Sequence, residues 1–257
     1  MKIGMIGKGT VGSAVYRGLE QLNHTMSFVD PVYPESKFED IIDTDCVFIC
    51  VPTEQKNNGD CDTSIVDQVV NDLHKRNYIG LVAVKSSVVP GTVDRLSYNY
   101  PDLKICSVPE FLRARLAFED FTEHHDLLII GSTRNEDYDI IKTIHGHYPK
   151  NISCVKPVEA EIVKYFNNAN HSIQIIFANI AYDVCQRLGG DYNAVYNAII
   201  KRECFNPAYL ECNENLRGFG GHCLPKDTQA WDNLIKKLNL PYTMIEAAIK
   251  DNQGLIK

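Results

Sequence analysis

Short runs of apolar residues alternate with polar or amphipathic stretches through the first part of the chain. The apolar runs occupy residues 2–6, 25–29, 45–51, 81–85, 103–107 and 127–130. Each run has the length of a strand, and a helical pattern such as the one at 64–76 separates neighbouring runs. This alternation predicts a parallel sheet that helices cover on both faces, with 127–130 as its last strand.

The period of the apolar positions changes after residue 157. From there to residue 188 apolar residues recur every three or four positions, and Gly189-Gly190 follows, which predicts one long amphipathic helix. Further helices are predicted near 191–202, 226–238 and 242–254. The sequence therefore predicts an α/β domain at 1–154 and an all-helical domain with a long central helix at 155–257.

A glycine-rich loop joins the first predicted strand to the first helix. It reads Gly7-Lys8-Gly9-Thr10-Val11-Gly12, a GxGxxG pattern in the strand-to-helix position where such loops bind a pyrophosphate. The second strand ends at Asp30, which is expected to bind the ribose 2′-hydroxyl of NAD and to repel the 2′-phosphate of NADP. The alternative is an aspartate that only begins the turn at Pro31. The first domain is thus expected to be Rossmann-like and to bind NAD.

A cysteine follows three glycines in the segment 218–227, Gly-Phe-Gly-Gly-His-Cys-Leu-Pro-Lys-Asp. Pro225 suits the first turn of a helix, so Cys223 is expected at a loop-to-helix junction, near the positive end of the helix dipole. That field, with Lys226 close by, favours the thiolate, which is the nucleophilic form. The alternative is a buried, inert cysteine beside a glycine turn.

The segment 218–227 resembles the active-site signature of the UDP-glucose 6-dehydrogenase family of nucleotide-sugar dehydrogenases. Six further segments resemble the family in the same order: the glycine loop, Asp30, Val51-Pro52-Thr53, Lys85-Ser86-Ser87, Pro109-Glu110-Phe111-Leu112-Arg113 and the stretch from Glu161 to Asn168. The resemblance implies that NAD is held by Gly7, Lys8, Gly9, Thr10, Val11, Gly12, Asp30, Val51, Pro52, Thr53 and Ser87.

The resemblance also implies a reaction, the four-electron oxidation of a sugar primary alcohol to a carboxylate through a thiohemiacetal and a thioester on Cys223. Lys164 and Asn168 would stabilise charge on oxygen, and Glu110 would be the general base for hydrolysis. Asp227 would orient a water or take a proton, although simple capping of the helix at Pro225 is the alternative. Ser87, where threonine is usual, keeps a hydroxyl. Substrate contacts are expected from Glu110, Phe111, Leu112, Arg113, Lys164, Asn168, Tyr209, Leu210 and Gly220.

Glu161, Lys164 and Asn168 share one face of the long helix because they lie three and four residues apart. The alternative for this triad is a solvated polar stripe.

The chain also departs from the family pattern. Ala114 stands where a glutamate is usual, and Lys257 comes before a further α/β domain, so a short form is expected. Arg202 is a candidate for the arginine that the family supplies to a neighbouring subunit.

Composition narrows the remaining possibilities. A net charge of −7 argues against a general nucleic-acid binder. Nine scattered cysteines fit a reducing cytoplasm, and no metal site is expected, since Cys46 and Cys50 would lie roughly 13 Å apart on a strand. No run of apolar residues reaches the length of a membrane helix. The composition therefore favours a cytoplasmic protein, and the resemblance implies a homodimer that pairs through helix 157–188.

Three questions of function stay open at this point. UDP-glucose is the default substrate of the family, but UDP-linked amino sugars and GDP-mannose are oxidised by relatives, and the products serve polysaccharide biosynthesis. A two-electron hydroxyacid dehydrogenase is one alternative. A non-catalytic NAD-binding protein is the other, favoured by Ala114 and by the early C-terminus.

Overall fold

A computed structural model describes residues 1–256 of the chain. Within these residues one sheet contains seven strands, which are β1 (Lys2–Ile6), β2 (Thr25–Val29), β3 (Cys46–Ile49), β4 (Leu81–Val84), β5 (Lys104–Ser107), β6 (Leu127–Gly131) and β7 (Asn151–Val155). Their order in the sheet is β2-β1-β3-β4-β5-β6-β7. The order reverses between β1 and β3, and such a reversal opens the crevice in which doubly wound sheets bind ligands.

Ten α-helices lie in the same described residues. They are α1 (Thr10–Gln21), α2 (Glu39–Ile42), α3 (Ser64–Lys75), α4 (Thr92–Asn99), α5 (Ala117–Thr122), α6 (Asn135–His145), α7 (Pro157–Leu188), α8 (Tyr192–Ile199), α9 (Cys223–Lys237) and α10 (Met244–Leu255). The fold class is as the sequence predicts, a Rossmann-like sheet followed by a helical region with a long central helix.

The central strands are buried on both faces, which explains why they read as continuous apolar runs. Alternate residues of β3 and β4 point to opposite sides: Val47 and Val82 belong to one core cluster, whereas Phe48 and Ala83 belong to the other. The predicted parallel pairing is confirmed for β1 with β2, β1 with β3, β3 with β4, and β4 with β5.

The far edge of the sheet departs from the prediction in two ways. First, β7 follows β6 as a further strand, and its mostly exposed side chains gave no apolar run. Second, β6 runs antiparallel to β5, which it meets at the pair Ser107 and Gly131. Strand direction depends on how the link from β5 returns to the sheet. Here the link passes through a 3₁₀ turn at Ala114–Leu116 and the short helix α5, and an apolar pattern does not reveal that path.

The ends of α7 follow local signals. Pro157 is its first residue, where a missing N–H costs nothing. At the other end Gly189 adopts a φ of 72°, and the N–H of Gly190 donates to the carbonyl of Cys185 at 2.8 Å. The predicted bounds of this helix, 157–188, are confirmed.

The chain divides into two compact units. The first comprises Met1–Glu54 and Asp62–Lys164, and the second comprises Gln55–Cys61 and the chain from Tyr165 onward. The division falls within α7, after Lys164, whereas the predicted domain boundary lies after residue 154. The domains 1–154 and 155–257 therefore stay a prediction about how the chain is organised.

The second unit has its own core and an inserted hairpin. Ala169 of α7 packs with Ile235 of α9 and Ile245 of α10. The hairpin, whose ends Gln55 and Cys61 pair as an isolated bridge, docks on α9 through polar contacts. The Asp60 carboxylate accepts hydrogen bonds from the side chains of Asn233 at 3.1 Å and Lys237 at 2.8 Å.

Candidate active site

The glycine loop of the first unit has the shape that a pyrophosphate requires. Gly7 adopts a φ of 90°, and a Cβ there would lie 2.6 Å from the Cys50 carbonyl oxygen. A Cβ on Gly12 would lie 2.0 Å from the Gly7 carbonyl oxygen. A Cβ on Gly9 would meet nothing within 4 Å, so that side of the loop is open. Gly9 caps α1 without a side-chain hydrogen bond, which leaves the helix N-terminus suited to an anion.

Asp30 directly follows β2, at the same edge of the sheet as the loop. Its carboxylate accepts hydrogen bonds from the backbone N–H of Lys8 at 2.6 Å and of Val32 at 2.8 Å. The first bond ties Asp30 to the glycine loop, and the second stabilises the turn that follows the strand. Its role toward a ribose stays a prediction.

Two hydroxyl-bearing segments, predicted from separate motifs, meet at the ends of β3 and β4. The Thr53 hydroxyl donates to the Ser87 carbonyl oxygen at 2.7 Å. The Ser86 hydroxyl donates to the Val51 carbonyl oxygen at 2.7 Å. Carboxyl ends of adjacent parallel strands meet at one edge of a sheet, which explains why these distant segments come together.

Glu110 forms a buried ion pair that the motif did not reveal. The Lys85 Nζ lies 2.7 Å from Glu110 Oε2, and the two side chains are 0% and 8% exposed. Glu110 Oε1 also accepts the N–H of Phe111 at 2.9 Å. Burial alone would raise the pKa of Glu110, but Lys85 and these hydrogen bonds lower it below its ordinary value. Glu110 is therefore held as a carboxylate by a lysine to which the sequence assigned no role.

The remaining residues of the Pro109–Arg113 segment have different surroundings. The Lys164 Nζ lies 5.3 Å from the centre of the Phe111 ring, a cation–π contact. Leu112 packs against the core of the first unit. The Arg113 guanidinium forms two hydrogen bonds with Asp120, at 2.9 and 2.6 Å. Phe111 is thus in contact with Lys164, a predicted catalytic side chain.

Glu161 is not part of a solvated polar stripe. Glu161, Lys164 and Asn168 are 2%, 9% and 5% exposed. The Glu161 carboxylate accepts the backbone N–H of Gly91 at 2.6 Å and of Val93 at 2.9 Å, at the start of α4. Burial raises the pKa of Glu161 to about 7, against the effect of these hydrogen bonds. Glu161 therefore fixes the segment that follows Ser87.

Cys223 is the first residue of α9 and is exposed, as expected for a loop-to-helix junction. This contradicts the alternative of a buried cysteine. The helix begins three residues earlier than the predicted 226. Pro225 falls in its first turn. The preference of Cys223 for the thiolate stays a prediction.

Asp227 is the centre of a buried polar network in the second unit. It is 0% exposed, and its Oδ2 accepts the Asn168 amide at 2.6 Å. Its Oδ1 accepts the Lys226 ammonium at 2.6 Å. Burial alone would lower the pKa of Lys226, but Asp227 raises it. Both carboxylate oxygens bond side chains, so the capping alternative for Asp227 is not what the structure shows.

The other predicted substrate contacts of the second unit differ in exposure. Leu210 is buried, and its carbonyl oxygen accepts the Tyr192 hydroxyl at 2.7 Å. Tyr209 is 39% exposed. Gly220 has open space where a Cβ would stand. Arg202 is exposed, just past the end of α8. Their contact with a substrate stays a prediction.

Sequence reasoning did not predict that Lys85 and Lys226 pair with carboxylates, those of Glu110 and Asp227. A signal existed for Lys85, since it ends an otherwise apolar strand and a buried lysine needs an anionic partner.

Within residues 1–256 no three His, Cys, Asp or Glu side chains are grouped to hold a metal ion. No helix in the described part of the chain combines the length and apolar character needed to cross a membrane.

The doubly wound sheet and the open glycine loop at its edge define a dinucleotide-binding protein. Residues 34–148 match the model of the UDP-glucose/GDP-mannose dehydrogenase family, NAD binding domain, and residues 158–254 match that of the family's central domain. The chain belongs to the UDP-glucose/GDP-mannose dehydrogenase family, and NAD is its cofactor.

Individual relatives agree with this assignment. The chain is 31% identical over 224 residues to the UDP-glucose 6-dehydrogenase of Rickettsia bellii, covering 84% of this chain and 50% of that protein. It is 27% identical over 233 residues to the GDP-mannose 6-dehydrogenase of Pseudomonas aeruginosa, covering 84% and 52%.

A solved structure of a UDP-glucose dehydrogenase from Pyrobaculum islandicum superposes with a TM-score of 0.88 at 27% identity, covering 98% of this chain and 68% of that one. The chain spans about half the length of the curated relatives it matches.

Proposed function

We propose that this chain carries out the NAD-dependent four-electron oxidation of a nucleotide sugar, with UDP-glucose oxidised to UDP-glucuronate. The observation that carries the proposal is the exposed Cys223 at the start of α9, followed by Lys226 and by Asp227, which the Asn168 amide contacts. A two-electron dehydrogenase has no use for a nucleophilic cysteine. The Cys-Leu-Pro-Lys-Asp segment argues equally against a non-catalytic NAD-binding protein.

The overall reaction converts a primary alcohol, one water and two NAD to a carboxylate, two NADH and three protons. The glycine loop from Gly7 to Gly12 would hold NAD, which would supply the hydride acceptor for each of the two oxidations. Between them the Cys223 sulfur attacks the aldehyde carbon, and the carbonyl oxygen takes up a proton to give a thiohemiacetal. The second oxidation gives a thioester, which water cleaves to release the acid and the thiol. The covalent bond to Cys223 prevents loss of the reactive aldehyde.

The charged side chains have roles that follow from their surroundings. Lys164 and Asn168, one helical turn apart on α7, stabilise negative charge on the reacting oxygen. Lys85 holds Glu110 ionised, so Glu110 is ready to accept a proton from the hydrolytic water. Asp227 fixes the Asn168 amide and the Lys226 ammonium. Ser87 adds a hydroxyl at the end of β4.

We also propose that the protein is a cytoplasmic homodimer whose product serves polysaccharide biosynthesis. Phe177, Ile180, Val184 and Leu188 of α7 are 50–81% exposed in the single chain. They lie three or four residues apart and therefore share one face of the helix. An exposed apolar stripe of this kind supports an isologous contact with a second copy.

The test is a measurement of NADH released per substrate consumed, over a panel of UDP-glucose, UDP-linked amino sugars and GDP-mannose. We expect two NADH per UDP-glucose and an acid product. Cys223→Ser is expected to abolish acid formation. Glu110→Gln is expected to accumulate a covalent adduct on Cys223, visible by intact-mass spectrometry. Cys204→Ser, which removes another exposed cysteine, is the control and should keep wild-type turnover.

Three results would contradict the proposal. One NADH per substrate with an aldehyde or ketone product would indicate the two-electron dehydrogenase. NAD binding without turnover of any sugar nucleotide would indicate the non-catalytic protein. An active Cys223→Ala variant would remove the thioester mechanism.

A further inference from the structure

Two buried histidines lie in the core of the first unit together with the Lys85–Glu110 ion pair. His125, two residues before β6, is 5% exposed, and His145, the last residue of α6, is 0% exposed. Their rings meet edge to face with centroids 5.8 Å apart. The His145 ring also lies 5.8 Å from the Phe48 ring, and the Lys85 Nζ lies 5.8 Å from the centre of that same ring. Contacts through Phe48 thus connect both histidines to the lysine that holds Glu110.

Backbone contacts fix which nitrogen of each histidine carries the proton. The His125 Nδ1 lies 3.2 Å from the Phe121 carbonyl oxygen, and the His145 Nδ1 lies 2.9 Å from the Ile141 carbonyl oxygen. A carbonyl oxygen only accepts hydrogen bonds, so Nδ1 is protonated in each ring and Nε2 keeps the basic lone pair. The His145 Nε2 is buried and has no hydrogen-bond partner within residues 1–256. The core of the first unit therefore contains two imidazoles that could each take up a further proton at Nε2.

The surroundings of His125 favour its neutral form. Burial has the largest effect and lowers the pKa of His125 below its ordinary value. Glu110 and Asp126 oppose that shift, whereas Lys85 reinforces it. His145 adds no charge, because burial lowers its pKa well below the ordinary value. At neutral pH Lys85 and Glu110 are therefore charged, and both imidazoles are neutral.

Protonation of His125 would weaken Glu110 as a base. In the proposed hydrolysis Glu110 takes a proton from water while Lys85 keeps its charge, so one uncompensated positive charge appears in the core. With His125 protonated two would appear, and like charges in a buried site repel strongly. The second cation would also stabilise the Glu110 carboxylate and so lower its affinity for a proton. The two hydride transfers do not require a proton on Glu110 and escape this effect.

We propose that His125 is a positioning residue for Glu110: its neutral imidazole lets Glu110 accept the proton of the hydrolytic water, and its protonated imidazole stops that step. The inference rests on the proposed function, in which Glu110 serves the hydrolysis of the thioester on Cys223. Uptake of one proton from solvent at the His125 Nε2 is the whole switch, and no bond to carbon changes. As the pH falls, oxidation continues while release of the acid slows.

The test follows the decay of the covalent adduct on Cys223. The adduct is formed with UDP-glucose and NAD and then transferred to buffers between about pH 8 and about pH 5, the range in which histidine titrates. Intact-mass spectrometry gives the rate of decay. For the wild type we expect the rate to fall roughly tenfold for each pH unit below the folded pKa of His125, which lies under the ordinary value of 6.5.

Two variants remove the titrating group of His125 in different ways. His125→Phe keeps an aromatic ring, and His125→Gln keeps a side-chain donor for the Phe121 carbonyl oxygen. In both, adduct decay should stay within about twofold of the wild-type rate at pH 8 and should stay nearly constant down to pH 5, because Glu110 itself titrates below 4.5. The matched control is His124→Gln at the neighbouring, exposed histidine, which should keep the wild-type pH dependence.

Three outcomes overturn the inference while the proposed function stands. In the first, adduct decay in the wild type does not change between pH 8 and pH 5. In the second, both His125 variants keep the wild-type pH dependence. In the third, both variants fail to release the acid at pH 8, which would make the imidazole indispensable rather than a switch. A wild type that forms no adduct on Cys223 is a different result, because it removes the proposed function and the inference with it.

Discussion

Lys85 and Glu110 form an ion pair that is almost wholly removed from water, at 2.7 Å with side-chain exposures of 0% and 8%. Because both side chains are buried, bulk water could not solvate either charge if its partner were removed. Removal of one member therefore leaves the other buried and uncompensated, which costs far more than the loss of a surface pair. The pair thus couples the chemistry proposed for Glu110 to the stability of the first unit.

We expect Lys85→Met to lower the free energy of unfolding by about 3–5 kcal/mol at pH 7. The pKa of Glu110 is lowered in the fold, so its contribution is present above the ordinary carboxyl value and is lost as the pH falls through the folded value. The deficit of the variant should therefore shrink toward acidic pH. Urea unfolding of the wild type and of Lys85→Met at several pH values measures this difference in free energy.

The control for this experiment is a pair at the surface. Arg95 and Asp67 lie 2.7 Å apart with side chains 46% and 35% exposed, so Arg95→Met should cost under about 1 kcal/mol. The double variant Lys85→Met/Glu110→Leu should regain much of the stability, because no buried charge remains. A Lys85→Met cost no larger than that of Arg95→Met would contradict the argument.

The sequence allowed single residues to be proposed for the site, but it did not reveal their partners. Asp30 was predicted from its spacing to the glycine loop, and Ser87 from its motif. The partners of Asp227 and Glu161 were not predicted. Asp227 lies 59 residues from Asn168, and Glu161 lies 70 residues from Gly91. Contacts at such separations depend on how elements pack, and local propensity carries no information about that packing.

At the scale of elements, Glu161 joins two helices that are far apart in the chain. It lies on α7, and its carboxylate takes backbone N–H groups from the first turn of α4. A helix N-terminus prefers a negative charge, whereas burial opposes one. Because the pKa of Glu161 is raised, to about 7, the effect of burial is larger than that of the helix N-terminus.

Glu161→Gln should change how stability depends on pH. The folded pKa of about 7 lies above the ordinary value of 4.5, so the stabilising contribution of the acid is full below 4.5 and is lost as the pH rises through 7. The melting temperature of the wild type, relative to the variant, should therefore fall between those two values. A difference that stays constant over that range would show that Glu161 does not titrate there.

Elements with a strong period of apolar positions were predicted closely. Elements that form only because a neighbouring strand pairs with them were not predicted. The bounds of α7 followed from its apolar period, Pro157 and the glycine pair. In contrast, β7 lies at the edge of the sheet and needs little apolar surface, so its sequence resembles a loop.

At the scale of the whole molecule, the exposed apolar face of α7 supports the proposed homodimer. Phe177→Asp and Ile180→Asp place a charge on residues that are 61% and 51% exposed in the single chain. Because a charge buried at an apolar contact is costly, both should shift the protein from dimer to monomer in sedimentation at micromolar concentration. Tyr98→Asp, at a tyrosine that is 86% exposed and outside α7, should leave the dimer intact. A wild type that sediments as a monomer would contradict the proposed homodimer.

The hairpin Gln55–Cys61 has a consequence for how the chain is made. Asp60 depends on Asn233 and Lys237, which follow it by 173 and 177 residues. At about 5–20 residues per second, a ribosome needs roughly 9–35 s to supply those partners. During that time the strands on either side of the hairpin can already pair, but α9, on which the hairpin docks, has not yet been made. Docking of the hairpin is therefore delayed until α9 has been made, after all the strands of the sheet have been synthesised.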